Sequence, residues 1–64
     1  MKKRYDIKIL GQELAVTSDA EDDEVANVVR FVNDKMEEIV RSRDGLRTLD
    51  VAILAALNIS EDYL

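Results

Sequence analysis

Five carboxylates crowd one short stretch of the chain: Asp19, Glu21, Asp22, Asp23 and Glu24. Oxygen ligands at that density could hold a hard cation. A calcium loop opening at Asp19 needs Gly at its sixth position and Glu at its twelfth. Glu24 and Arg30 stand there instead. The alternative is electrostatic, since negative charge is favourable against the N-terminus of a helix. On this reading Ser18 opens a helix, with Glu21 three residues on completing a capping box.

Other chemistry is limited by what the chain lacks. It has no His and no Cys. The usual general base, the thiolate nucleophile and the commonest transition-metal ligands are therefore missing. Ser18, Ser42 and Ser60, with Tyr5 and Tyr63, stand in no nucleophile context. Gly11 and Gly45 are too far apart to build a phosphate-cradling loop. The residues predict no enzyme, no cofactor and no metal.

Fourteen acidic against nine basic residues give a net charge of −5 and a pI near 4.5. That opposes broad binding to a nucleic-acid backbone. No apolar run approaches the roughly 20 residues needed to span a membrane. The basic start, Met1-Lys2-Lys3-Arg4, is followed by Asp6 and Lys8, not by the apolar stretch of a signal peptide. A cytoplasmic protein with neither nucleic-acid nor membrane partner is expected.

The elements follow from periodicity. Tyr5, Ile7 and Ile9 alternate with Asp6 and Lys8, which is strand period. Gly11-Gln12 offers a two-residue loop with Gly first, as a type II′ turn requires. That loop pairs Ile9 with Leu14 and Ile7 with Val16, and predicts a hairpin over 5–17. Val25, Val28, Val29, Val32, Met36, Ile39 and Val40 then recur along one stripe of a helix over 20–43. Phe31 lies off that stripe, at the rim of the core or against a partner protomer. Gly45 can adopt a left-handed conformation in the connector. Thr48 would cap a second helix over 49–64, with Asp50 in its first turn. The fold class is α+β, one domain over 1–64: an N-terminal hairpin followed by two helices.

The second helix carries more apolar surface than one small protomer can cover. Ile53, Leu57, Ser60 and Leu64 recur at coiled-coil spacing. Ala52, Ala55, Ala56, Ile59 and Tyr63 form a second side. Asn58 sits among them and, if buried, needs hydrogen-bond partners. Domains of this size are marginal alone. With no disulfide or metal to stabilise it, the chain is expected to dimerise through Ile53, Leu57, Ser60, Leu64, Ala52, Ala56 and Ile59. Tyr63 is followed by no Gly, Pro or basic last turn, so the helix is expected to continue toward a coiled coil.

The run Ile7-Lys8-Ile9-Leu10-Gly11-Gln12-Glu13-Leu14 resembles the I-x-I-[LF]-G-x-x-[LY] opening of the ZapA family. Val51-Ala52-Ile53-Leu54-Ala55-Ala56-Leu57-Asn58-Ile59-Ser60 resembles that family's most recognisable segment. The two sit at the family's separation, either side of an amphipathic helix. The resemblance implies a small dimerising head that pairs into tetramers through a C-terminal coiled coil. It implies a non-enzymatic cell-division protein that binds and bundles protofilaments of FtsZ, a tubulin-like GTPase, at mid-cell. Family members often carry a basic residue just after the hairpin Gly, where this chain has Gln12. Arg41, Arg43 and Arg47, near the helix connector, are the basic residues the resemblance offers for an acidic FtsZ surface. Two other readings compete. One is a ribbon-helix-helix DNA-binding regulator using Lys2, Lys3, Arg4 and Lys8, which the acidic charge and the second strand oppose. The other is a plain dimerisation module.

Overall fold

The computed structural model describes residues 1–63. The elements run β1 (Lys3–Ile9), β2 (Gln12–Ser18), α1 (Asp22–Ser42) and α2 (Thr48–Tyr63). The architecture is α+β, an antiparallel hairpin followed by two helices. The chain divides into two compact units, one spanning Met1–Asn33 and a second from Asp34 onward.

In the first unit the hairpin differs from the expected one in its turn. The pairs are Ile9 with Gln12, Ile7 with Leu14 and Tyr5 with Val16. The loop is therefore Leu10-Gly11, and Gln12 is the first paired residue of β2. Leu10 has φ of 50° and Gly11 of 79°, the two left-handed positions of a type I′ turn. Relative to the Gly-first loop the register moves by two residues. Side chains alternate with a period of two, so the same residues keep the same face. Tyr5, Ile7, Ile9 and Val16 are half-buried on it, while Leu14 remains 46% exposed.

The start of α1 also differs. Ser18 ends β2, and its hydroxyl accepts the Ala20 N–H at 3.0 Å, stabilising the bend before the helix. The helix opens at Glu21, whose carbonyl accepts the Val25 N–H at 3.0 Å. The Glu24 carboxylate reaches back to the Glu21 N–H at 3.3 Å. The capping role lies three residues later than the Ser18-Glu21 pattern, and a carboxylate fills it. The start of α1 is tied to the sheet by Tyr5. Its hydroxyl proton is shared between the Ala20 carbonyl and Asp22 Oδ1, each at 2.9 Å. Partial burial, then the hydrogen bond to Asp22 and the charges of Asp22, Glu21 and Glu24, raise the Tyr5 phenol above its usual value of 10.0.

In the second unit the last turns of α1 contribute Met36 and Ile39, and α2 contributes Val51 and Ala55. These are the buried apolar side chains among the described residues. Lys35 pairs with Asp62 at 3.6 Å and links the two helices. The Ser42 hydroxyl donates to the Ile39 carbonyl at 3.0 Å as α1 ends. Gly45, at φ of 77°, bends the connector. Thr48 is the first residue of α2 and not its cap. The Arg47 carbonyl accepts the Val51 N–H at 3.1 Å, and Asp50 Oδ2 accepts the Arg47 N–H at 3.1 Å. Both helices thus open with a carboxylate three residues inside, returning to the backbone of the residue at the cap.

A candidate protein-interaction surface

The geometry of α2 decides which of its apolar residues remain free for a partner. Val51 and Ala55 are each 2% exposed, and Leu54 and Ile59 are half-buried beside them. These four define the inner side. The outer side carries Leu49 at 67% exposure, Ile53 at 51%, Leu57 at 56% and Tyr63 at 88%. Ala52, Ala56 and Ser60 are exposed between them. At 100° per residue these seven fall on one continuous stripe. The expected second face, Ala52, Ala55, Ala56, Ile59 and Tyr63, does not exist as a unit. Ala55 and Ile59 turn inward, whereas Ala52, Ala56 and Tyr63 join Ile53 and Leu57. Leu64, the last residue of the expected seam, lies outside the described residues. Asn58 is exposed, so the requirement for buried hydrogen-bond partners does not arise.

Burying one Leu or Ile fully is worth roughly 1.5–3 kcal/mol. The outer stripe therefore holds several kcal/mol of burial that the protomer does not use. Alanines between the larger side chains allow another helix to approach closely.

The arginines flank the connector between the helices. Arg41, in the last turn of α1, pairs with Glu37 at 4.0 Å, and positive charge there suits the helix C-terminus. Arg43 lies in the connector and, with Leu46, Asp50, Ile53 and Leu54, lines an open cleft of about 260 Å³. Arg47 sits just before α2, where its charge opposes the helix dipole. Asp50 answers it with an ion pair at 3.6 Å. The Arg47 side chain is 85% exposed, so its charge is displayed to solvent. The second unit thus places Arg43 and the outer-stripe residue Ile53 on one cleft. Gln12 belongs to the first unit, at the base of the hairpin turn.

The acidic cluster is engaged locally. Asp22 accepts from Tyr5 and pairs with Lys3 at 3.6 Å. The Asp23 carboxylate accepts the Glu24 N–H at 3.0 Å. Among the described residues no three carboxylates gather as a metal site, and no helix is long and apolar enough to cross a membrane.

One residue with a clear structural role was not evident from periodicity. Asn33 of α1 accepts the Leu10 N–H at 3.0 Å and donates to the Lys8 carbonyl at 3.0 Å and the Val29 carbonyl at 3.2 Å. An amide at the edge of an otherwise apolar stripe was the available signal.

Comparison with known proteins finds relatives that match nearly the whole chain. The family model for cell division protein ZapA matches residues 5–64. A cell division protein ZapA of Shouchella clausii is 40% identical over 63 residues, covering 98% of this chain and 81% of the relative. One from Bacillus thuringiensis is 33% identical over 63 residues, covering 98% and 71%. Among solved structures, a ZapA mutant dimer from Geobacillus stearothermophilus superposes with a TM-score of 0.85 at 28% identity, covering 98% of this chain and 73% of that one. With a hairpin, two helices and matches that run the length of the chain, this protein belongs to the ZapA family of cell division proteins.

Proposed function

We propose that this protein acts without catalysis, as a homodimer that binds FtsZ protofilaments and bundles them to support the division ring at mid-cell, in the cytoplasm. The outer stripe of α2 carries this reading. Ile53 and Leu57 are more than half exposed in a chain of 64 residues, and a two-fold dimer is the commonest way to cover such a face. Ala52, Ala56 and Ser60 lie between them, with Ile59 at the margin. The related structure from Geobacillus stearothermophilus is a ZapA mutant dimer. Where a coiled coil continues α2, dimers pair into tetramers, and two filament-binding heads at each end can cross-link filaments.

Arg41, Arg43 and Arg47 are the basic contacts for an acidic filament surface, with Gln12 at the base of the hairpin turn as a further contact. Co-sedimentation with FtsZ polymers tests this. The wild-type chain pellets with filaments, and Arg43→Glu with Arg47→Glu weakens pelleting several-fold. Unchanged pelleting removes these arginines from the site. Absence of wild-type binding removes the filament as partner. The ribbon-helix-helix alternative is disfavoured by pairing: β1 is hydrogen-bonded to β2 of its own chain.

A further inference from the structure

We infer that Asn33 is the positioning residue of the hairpin tip: it selects the Leu10-Gly11 turn over the competing Gly11-Gln12 turn. It thereby fixes which side chains the tip presents. Its consequence for filament binding rests on the function proposed above; the selection of register does not.

Left to its own sequence, the turn would be expected to choose otherwise. A left-handed conformation is unfavourable for a residue with a branched side chain, and Leu10 adopts it at φ of 50°. The Gly11-Gln12 alternative would place glycine at the left-handed position of a type II′ turn, leaving Leu10 extended. Burial cannot decide between them. The two registers differ by two residues, so Ile7, Ile9, Leu14 and Val16 share a face in both. The discriminating contacts come from α1. Asn33 Oδ1 accepts the Leu10 N–H at 3.0 Å, and Asn33 Nδ2 donates to the Lys8 carbonyl at 3.0 Å. Both partners are backbone groups of the turn and the strand end leading into it. The third bond, to Val29 of α1, anchors the amide on its own helix. In the shifted register Leu10 is extended and pairs with Glu13, and the present geometry at Asn33 is lost. Gln12 then moves from a paired strand position into the loop.

The experiment reads register directly, by cross-strand backbone NOEs in the whole chain. Wild type pairs Ile7 with Leu14. Asn33→Ala is expected to give the pairing of Ile7 with Val16, as the majority form or in exchange. Amide exchange at Leu10 is expected to accelerate about tenfold or more. Leu10→Asn in the Asn33→Ala background supplies the Asn-Gly pair that a type I′ turn favours, and should restore the original pairing without Asn33. Co-sedimentation with FtsZ polymers should fall and recover in parallel. Retention of the Ile7–Leu14 register by Asn33→Ala overturns the inference. If Asn33→Ala fails to fold, a folded double variant with native register supports it, and an unfolded one overturns it. A shifted register with unchanged binding overturns the tip-presenting role. If wild type itself does not bind filaments, the proposed function falls while the NOEs still decide the register.

Discussion

Lys35 Nζ lies 3.6 Å from Asp62 Oδ2, joining the C-terminal half of α1 to the last turn of α2. Lys35 is 24% exposed and Asp62 67%, so solvent screens one partner more than the other. A pair of this kind contributes about 0–1 kcal/mol. In a double-mutant cycle on chemical unfolding, Asp62→Lys should cost a few tenths to about 1 kcal/mol. Lys35→Glu in the same chain should recover part of that loss.

Val51 is the most enclosed large side chain, at 2% exposure. Val51→Ala should lower stability by about 2 kcal/mol, from lost transfer energy and the cavity left behind. Ala55, also 2% exposed, has no space to grow. Ala55→Leu should cost about 1–3 kcal/mol through overpacking. Urea midpoints at constant slope measure both.

The outer stripe predicts the reverse behaviour. Ile53→Lys with Leu57→Lys touches side chains that are already more than half exposed, so helicity should survive. Light scattering should show the mass falling to that of one chain, from a wild-type value of two. A wild-type mass of one chain at high concentration would remove the proposed dimer.

Gly11 has open space where a Cβ would stand, but its backbone sits at φ of 79°. The cost of Gly11→Ala is therefore conformational and not steric contact with neighbours. About 1–2 kcal/mol is expected for an L-residue held in this region, measured by thermal or urea unfolding. Gly45→Ala, at φ of 77°, should behave alike.

Tyr5 gives stability an alkaline limit. Its phenol is raised above 10.0 in the folded chain by partial burial, the bond to Asp22 and neighbouring carboxylates. A raised acid is stabilised in its neutral form, so the contribution is complete below about pH 10. It is lost as pH rises through the folded value. Unfolding midpoints from pH 8 to pH 12 should fall more steeply for wild type than for Tyr5→Phe. Absorbance titration should place Tyr5 above the usual tyrosine value of 10.0.

The elements were legible because they rest on periodicity. Alternation through Tyr5, Ile7 and Ile9 marks a strand, and the recurrence from Val25 to Val40 marks a helix. The register was not legible, because turn preference points to Gly11-Gln12 and the burial pattern does not separate two settings of equal parity. The contacts that oppose that preference come from Asn33, far along the chain. Caps were misassigned for a different reason. Ser18 and Thr48 have the usual chemistry, but Glu24 and Asp50 reach back and perform that role. The division of α2 was only partly legible. An alanine suits either side, and nothing in the pattern separates Ala55 from Ala52 and Ala56. The arginines were visible only by resemblance, and the link of Arg43 to Ile53 through one cleft required the fold.

On α2 the enclosed residues and the outer stripe lie on opposite sides of one helix. That arrangement ties folding to mass action. Inner substitutions should lower the melting temperature equally at every protein concentration. Outer ones should abolish the rise of melting temperature with concentration that a self-associating chain displays. The protein then has no single thermal stability of its own: how well this helix holds depends on how many copies the cell supplies.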